Sequence, residues 1–342
     1  MQLYDYLHSL LLLLVASSLL LTPAQSLKIM GFPIADAQVK EEVCVDTSNS
    51  KETISTVVDD IFNLLDDDEK EKTARASSYR YLKNPKPNDR DRQAKTQIER
   101  YVVVEEKLGN SKSAKEVAYN KLKKTIMYRE EQQIDDIRLC FDKNKLSNKN
   151  KLHANLRQII EDRYATGASF IRGYSKDGEA LFINLPRADT HWDEEGYIKS
   201  NIYTLERALA CTERRSNGIK SKVIAFYDYN GYRLANSPPP LLVKELLSVL
   251  RDHYPERLVH VFVVDAPFLF RAFWNIIKHF IDPITKELVQ FVTGEDQKQV
   301  FRDMISEDQA SNFHYNGAQN TDDVDMKKYF YDTPFDRAYG EK

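Results

Sequence analysis

The spacing of apolar residues predicts helices in the first half of the chain. One helix face is formed by Ile54, Val57, Val58, Ile61, Phe62 and Leu65, which recur at helical spacing. The acidic run 66–69 that comes next is interpreted as the solvated end of this helix. A second helical block extends from about Asp91 to Cys140, and Ser113 followed by Glu116 within it is typical of a capping box at a helix start.

Short apolar runs alternate with longer helical patterns in the second half of the chain. Strands are predicted at 181–185, 223–227, 259–264 and 288–293. Helices are predicted at 197–211, from Ser237-Pro238 onwards, and at 268–281. This alternation is typical of an α/β fold whose sheet has a strong parallel component. The run 259–264 is nearly all apolar, as in a central strand covered on both faces.

The N-terminus carries an apolar run, Leu10–Leu21, that is shorter than the ~20 residues of a membrane-spanning helix. Residues 24–26 follow it with a small-x-small pattern, and the first nine residues contain Asp5 and no Lys or Arg. The pattern predicts a cleaved signal peptide over residues 1–26. An uncleaved anchor and a soluble amphipathic start are the alternatives. Cleavage would place the protein in the secretory pathway or outside the cell; without it, we expect a cytoplasmic protein peripheral to membranes.

Composition excludes several classes of function. The 342 residues include 49 basic and 52 acidic side chains, and a net charge of −3 gives no reason to expect a nucleic-acid partner. The three cysteines, Cys44, Cys140 and Cys211, are too few and too scattered for a disulfide scaffold or a zinc cluster, so no metal is expected. The sequence lacks the nucleophile elbow, the phosphate-binding loops and the zinc-protease motif. We therefore expect a protein that is not an enzyme.

The predicted helix 268–281 is apolar on all sides, which is typical of a helix buried on more than one side or facing a ligand or membrane. It is either a central core helix or a lid over an apolar cargo. As a lid, it would seal the cavity with one set of side chains and touch the membrane with another. One set contains Phe273, Ile277 and Phe280, and the other contains Trp274 and Ile281. Spacing separates the two sets but leaves open which one faces inward.

Several motifs occur in a characteristic order over residues 160–320. Residues 254–258 read Y-P-E-R-L, residues 265–267 form a D-A-P turn after an apolar run, and residues 280–285 read F-I-D-P-I-T. Upstream, residues 228–231 match D-x-x-G. Together these motifs resemble the CRAL-TRIO lipid-binding family, which includes the phosphatidylinositol/phosphatidylcholine transfer proteins.

The resemblance implies an α/β fold with an N-terminal all-helical domain, followed by a sheet floor roofed by helices around a hydrophobic cavity. It implies a non-enzymatic lipid-binding or lipid-transfer protein that encloses one phospholipid or other hydrophobic ligand under a gate helix. Such a protein needs no cofactor, contacts a membrane surface transiently and is expected to be a monomer. A scaffold or adaptor that keeps the fold but binds a protein or a membrane is the alternative. An α/β hydrolase is disfavoured.

On this interpretation the chain has five segments: a signal peptide (1–26), a linker (27–53), the helical domain (54–145), the CRAL-TRIO-like domain (155–320) and a C-terminal tail (321–342). The implied gate-helix and cavity residues are Phe268, Phe270, Phe273, Trp274, Ile277, Phe280 and Ile281. The implied cavity strands contribute Phe182, Phe226 and Phe262. The implied hinge consists of Asp282 and Pro283.

Glu256 and Lys286 are the candidates for the lipid head group. Glu256 stands in the family's P-E-R motif, whereas Leu288 occupies the position of the family's head-group lysine, with Lys286 two residues earlier. The family's basic stretch in the helical domain is replaced by residues 101–107. We therefore expect no strong preference for phosphatidylinositol. A buried ion pair of Glu256 with Arg257, or a helix end, is the alternative role for this carboxylate.

Overall fold

The structure, a computed structural model, describes residues 47–109, 113–146, 150–189, 193–293, 299–300, 303–305 and 324–341. Side chains are described from residue 54 onwards, except those of residues 145, 234, 269, 271–273 and 276. The predicted signal peptide and most of the predicted linker lie outside the described residues. Residues 48–342 form one unit.

The first half of this unit is helical, as predicted. The helices are α1 (Thr47–Leu64), α2 (Asp67–Ser77), α3 (Tyr79–Lys83), α4 (Pro87–Lys107), α5 (Ala114–Glu131), α6 (Ile134–Leu139) and α7 (Lys151–Tyr164). Ile61 of α1, Ile98 of α4 and Leu122 of α5 are fully buried in one shared core. The apolar stripes predicted for α1 and α5 therefore face this core and not solvent.

Two helix starts differ from expectation. The acidic run 66–69 begins α2 and does not end α1: the Glu69 N–H donates to Asp66 Oδ1 at 2.8 Å, and the Asp66 N–H donates to Glu69 Oε2 at 3.1 Å. This is a complete capping box. Ser113 precedes α5 but forms no side-chain cap, because its φ and ψ of −121° and 6° lie outside the extended conformation that Asp66 adopts.

The sheet has five strands in the described residues, in the order β1-β2-β3-β4-β5. They are β1 (Ser169–Tyr174), β2 (Ala180–Asn184), β3 (Val223–Asp228), β4 (Leu258–Val264) and β5 (Val289–Val292). Strands β2 to β5 are parallel, and β1 pairs antiparallel with β2. The four predicted strands and the parallel pairing are confirmed, and β1 is an addition. The prediction that β4 is covered on both faces holds for its second half; its first four residues are half-buried.

The helices that connect the parallel strands are α8 (Glu194–Arg215), α9 (Pro240–His253), α10 (Phe268–Ile277) and α11 (Pro283–Glu287). Each connection steps to the next strand in the same direction across the sheet. Because such crossovers are right-handed, α8, α9 and α10 lie on the same face of the sheet. Helix α9 begins at Pro240, later than the predicted start at Ser237, with Pro239 as its N-cap residue.

The segment 324–341, which includes α12 (Met326–Tyr331), packs along the edge strand β1. The Tyr339 N–H donates to the Ile171 carbonyl at 2.8 Å, and the Ile171 N–H donates to the Tyr329 hydroxyl at 3.0 Å. The Tyr329 side chain is almost completely buried. Groups from this segment therefore satisfy the backbone of β1 on its outer side.

A buried carboxylate connects the N-terminal helices to α8. Glu206 of α8 is 2% exposed and accepts a hydrogen bond from Arg129 Nη1 at 2.7 Å, with Arg138 Nε at 3.1 Å. The Tyr254 hydroxyl also donates to it, at 2.9 Å. Burial opposes its charged form, but Arg129 and Arg138 lower the pKa of Glu206 to about 2. This carboxylate is therefore ionised and paired with cations from α5 and α6.

Candidate functional site

Helix α10 has one buried face and one exposed face. Phe270 and Ile277 are buried and Trp274 is half-buried, whereas Phe268 is 48% exposed. Positions 270, 274 and 277 share one helix face, and Phe268 lies opposite Ile277 at 100° per residue. The side chain of Phe273 lies outside the described part of the chain. The helix thus covers the protein with one face and presents an aromatic ring to its surroundings with the other.

The predicted extent of this helix and its two sets of side chains need correction. The helix ends at Ile277, with Lys278 as its C-cap residue, so Phe280 and Ile281 lie in the turn after it. Trp274 and Ile277, which the spacing analysis placed in different sets, lie on the same inner face. Residues three positions apart lie only about 60° apart around a helix, so Trp274 and Ile277 belong to one face. The helix also ends about one turn before the predicted boundary, since the next helix has its own start at Asp282.

The predicted hinge is a short capped helix. Asp282 is the N-cap residue of α11, and its Oδ1 accepts a hydrogen bond from the Thr285 N–H at 2.8 Å. Pro283 comes next, at the first helical position, where its missing N–H costs no hydrogen bond. The chain between α10 and α11 is therefore a tight turn with a defined helix start on one side.

Aromatic contacts place α10 over one face of the sheet. The rings of Trp274 and Phe291 meet edge to face with centroids 5.2 Å apart, and Phe270 lies 6.2 Å from Phe291. Phe291 is the residue after Gln290, which pairs with Phe262 of β4. Since successive side chains in a strand point to opposite faces, Phe291 and Phe262 lie on opposite faces. Helix α10 therefore packs on the face of the sheet opposite to the one on which Phe262 lies.

The three phenylalanines predicted to line the cavity do not share a face. Phe226 pairs directly with Phe262, and their rings stack with centroids 5.0 Å apart. Phe182 pairs with Ala225, the neighbour of Phe226, and so lies on the opposite face. Its row continues through Val261 to Val289, two residues before Phe291. Of the three, Phe182 is therefore the one on the face that α10 covers.

Glu256 is held by two lysines that the sequence analysis did not single out. Lys107 Nζ lies 2.8 Å from its Oε1, and Lys222 Nζ lies 2.6 Å from its Oε2. Burial alone would raise the pKa of Glu256, but the hydrogen bonds from Lys107 and Lys222 lower it. Its φ of 55° is in the left-handed region, which is uncommon for Glu. A carboxylate fixed between two partly exposed ammonium groups forms a compact polar site.

Arg257 does not pair with Glu256, so that alternative is wrong. Its guanidinium is buried and donates to the Ala76 carbonyl at 3.3 Å, to Gln97 Oε1 at 3.2 Å and to the Ser221 carbonyl at 3.2 Å. Arg257 therefore joins the start of β4 to α2 and α4. The adjacent Glu256 instead pairs with Lys107 and Lys222.

Polar and apolar candidates lie at opposite ends of the parallel strands. Glu256 and Lys222 precede the amino ends of β4 and β3, and Lys286 of α11 lies shortly before the amino end of β5. In contrast, Phe268 follows the carboxyl end of β4. Leu241, which is 75% exposed, is the second residue of α9, after the carboxyl end of β3. The seven residues of β4 separate the two ends by about 20 Å.

This arrangement of strands and helices coincides with a known domain. Residues 164–317 match the family model of the CRAL/TRIO domain. The chain contains a CRAL/TRIO domain. The match includes β1 to β5, α10, the hinge and Glu256, whereas Lys107 lies before it.

Similar proteins carry the same domain name or a lipid-transfer name. The CRAL-TRIO domain-containing protein C23B6.04c of Schizosaccharomyces pombe is 26% identical over 156 residues, which cover 46% of this chain and 15% of that protein. The phosphatidylinositol transfer protein CSR1 of Eremothecium gossypii is 29% identical over 128 residues, covering 36% of this chain and 28% of that protein. The matched region thus spans less than a third of either relative.

Among solved structures, the crystal structure of Sfh5 aligns with a TM-score of 0.49 and 15% identity, covering 74% of this chain and 84% of that chain. None of the helices in the described part of this chain combines the length and apolar character needed to cross a bilayer.

Proposed function

We propose that the CRAL/TRIO domain of this chain binds one lipid and transfers it between membranes, with α10 as the gate and no catalytic step. The observation that carries the proposal is the family match over residues 164–317, together with a helix at the gate position that is buried on one side and aromatic on the other. One relative is named a phosphatidylinositol transfer protein, which agrees with this proposal.

Burial energetics explain why such a lipid needs a gate. Each buried methylene contributes about 0.8 kcal/mol, so two acyl chains favour almost complete enclosure. The aromatic contacts of Phe270 and Trp274 with Phe291 would then have to open before the lipid enters or leaves. The turn 278–282 between α10 and α11 is the proposed hinge for this movement.

The exposed apolar residues at the carboxyl end of the sheet are the proposed membrane contact. Phe268 and Leu241 are exposed there, and Phe291 at the end of β5 is 42% exposed. Aromatic side chains favour the interface between lipid and water. Contact of these side chains with a bilayer would therefore hold the carboxyl end of the sheet, and with it the start of α10, at the membrane surface.

Glu256 is the proposed polar anchor for the head group, with Lys107 and Lys222 beside it. A zwitterionic head group can interact with both the carboxylate and the two ammonium groups, so phosphatidylcholine fits this set as well as an inositol lipid does. Lys286 lies at the same end of the sheet. We expect no hundredfold preference for phosphatidylinositol over phosphatidylcholine, which competition binding with labelled lipids measures.

Native mass spectrometry of the purified full chain tests the central proposal. We expect a mass increment of one bound lipid per chain. A protein that stays empty after incubation with vesicles of phosphatidylcholine and phosphatidylinositol would contradict the proposal and favour a scaffold or adaptor.

A transfer assay between vesicles tests the gate. We expect Phe268→Asp to slow transfer at least about tenfold, while its melting temperature stays within about 2 °C because the side chain is exposed. Ile219→Asp is the matched control, since Ile219 is 86% exposed and precedes the amino end of β3, whereas Phe268 follows the carboxyl end of β4. Equal transfer rates for the two variants would remove Phe268 from the membrane contact.

The proposed signal peptide has its own test. N-terminal sequencing of protein from the native host should begin near residue 27. Recovery of residue 1 or 2 would contradict cleavage.

A further inference from the structure

A cleft of about 380 Å³ lies apart from α10, between α3, the middle of α8 and the segment after α12. Its lining includes Tyr79 and Arg80 of α3, Arg207 of α8, and Phe335. This volume is within the range of about 300–1,000 Å³ that is usual for small-molecule sites. None of the residues proposed for the gate or the head group lines it.

Aromatic rings form two walls of this cleft. In the first wall, Phe141 stacks on Phe330 with centroids 4.8 Å apart and meets Tyr331 edge to face at 5.3 Å. In the second wall, Tyr79 and Phe335 lie 4.7 Å apart. Phe141, Phe330 and Tyr79 are buried, so the half-buried Tyr331 and Phe335 provide the accessible apolar surface on which a ring system can stack.

Arg207 lies beneath this cleft and is 0% exposed. Its guanidinium donates to the Tyr203 hydroxyl at 3.0 Å and to the carbonyls of Thr333 and Pro334 at 3.1 and 3.2 Å. The carbon of the guanidinium lies 3.6 Å from the centroid of the Tyr329 ring. These partners are all uncharged, and Nε has no hydrogen-bond partner within the described residues.

Across the part of the chain that the structure describes, no carboxylate pairs with Arg207. Buried charges are normally paired with an opposite charge, so this one leaves a local excess of positive charge under the cleft.

More cations surround the mouth of the cleft. Arg80 and Lys143 are exposed there, and no ion pair is formed by either in the part of the chain that the structure covers. Lys83 pairs with Asp142, and Asp336 is the other acid in the lining. Four cations against two carboxylates leave the cleft with a net positive charge, which attracts an anion.

We propose that this cleft is a second binding site, which takes a small molecule that combines an aromatic ring with an anionic group. The ring would lie between the two walls, against the half-buried side chains of Tyr331 and Phe335. The anionic group would face Arg80 and Lys143, above the positive charge of Arg207. The site is separate from the lipid site and does not depend on the gate.

Isothermal titration calorimetry of the full chain with 2-naphthoate and its neutral analogue 2-naphthamide tests this proposal. We expect naphthoate to bind about tenfold more tightly, a difference that reports the anionic group. The double variant Arg80→Glu/Lys143→Glu should weaken naphthoate binding about tenfold and change naphthamide binding less than about twofold.

The control variant Lys124→Glu/Arg233→Glu makes the same change in net charge at exposed positions outside the cleft. It should bind naphthoate within about twofold of the parent chain. Equal affinities for naphthoate and naphthamide, no heat of binding at millimolar concentration, or naphthoate binding that both double variants leave unchanged would each overturn the proposal.

Discussion

Glu206→Gln is expected to destabilise the protein far more than an ordinary change of a carboxylate to an amide. The carboxylate is buried and paired with Arg129 and Arg138. Glutamine keeps the size of the side chain but removes its charge, so two guanidinium groups remain buried without their common partner. Removing one partner from a buried ion pair costs about 3–5 kcal/mol.

The pKa of Glu206 gives a second value for the free energy of unfolding that Glu206→Gln should remove. Against burial, which disfavours the charged form, the two arginines lower this pKa from an ordinary 4.5 to about 2. A shift of that size corresponds to about 3 kcal/mol of stabilisation of the ionised form. We therefore expect Glu206→Gln to lose about 3 kcal/mol in free energy of unfolding at pH 7, and roughly 5–10 °C in melting temperature.

The loss should depend on pH in a defined direction. The carboxylate is protonated near pH 4.5 in the unfolded chain and near pH 2 in the folded protein, so its stabilisation is complete above about pH 5 and is lost as the pH falls towards 2. At pH 3.5 the difference between the parent chain and Glu206→Gln should therefore shrink by about 1 kcal/mol.

Urea unfolding at pH 7 and pH 3.5 measures both effects. Glu195→Gln is the matched control because Glu195 is in the same helix and forms an exposed ion pair with Lys199 at 2.7 Å. The control should cost less than about 0.5 kcal/mol. A loss below about 1 kcal/mol for Glu206→Gln at pH 7, or a difference that is the same at both pH values, would contradict the stabilising role assigned to the Glu206 ion pairs.

Two further predictions concern stability. Trp274→Asp should lower the free energy of unfolding, measured in urea, by about 2–4 kcal/mol, because it removes the ring contact with Phe291 and places a carboxylate on the inner face of α10. A loss below about 0.5 kcal/mol, as expected for an exposed position, would place Trp274 on the outer face. Tyr329→Phe should lower the free energy of unfolding by about 1–3 kcal/mol, because the buried Ile171 N–H loses its acceptor. Hydrogen exchange at the Ile171 amide should also accelerate. Unchanged exchange at this amide would contradict the role given to the Tyr329 hydroxyl.

The elements predicted from the sequence are those with a strong local signal. We can recognise β2, β3 and β4 from their apolar runs, and α1 and α8 from their apolar stripes. In each case the buried positions recur with the period of the strand or helix. Strand β1 has no such signal, because Arg172 and Gly173 interrupt its apolar residues. It is fixed by β2 and by the segment 324–341, which lies far away in the sequence.

The candidate site shows the same limit. The sequence indicates that α10 exists, but a helix that is apolar all round cannot show which side is inner; the position of Phe291 decides it. Glu256 could be selected from its motif, whereas its partners could not. Lys222 and Lys107 lie 34 and 149 residues away, and no spacing rule connects them to it. The register of the sheet, which separates Phe182 from Phe226, is likewise a tertiary property.

The pairing of β1 with the segment 324–341 has a consequence for synthesis of the protein. About 150 residues separate the two, so at 5–20 residues per second the ribosome adds the covering segment roughly 8–30 s after β1. During that time the outer backbone groups of β1 lack the partners that Tyr329 and Tyr339 later supply. An unpaired edge strand is a template for pairing with other chains. The nascent protein is therefore most vulnerable to aggregation in this interval, and a chaperone that holds exposed strands would act on it before residues 324–341 are synthesised.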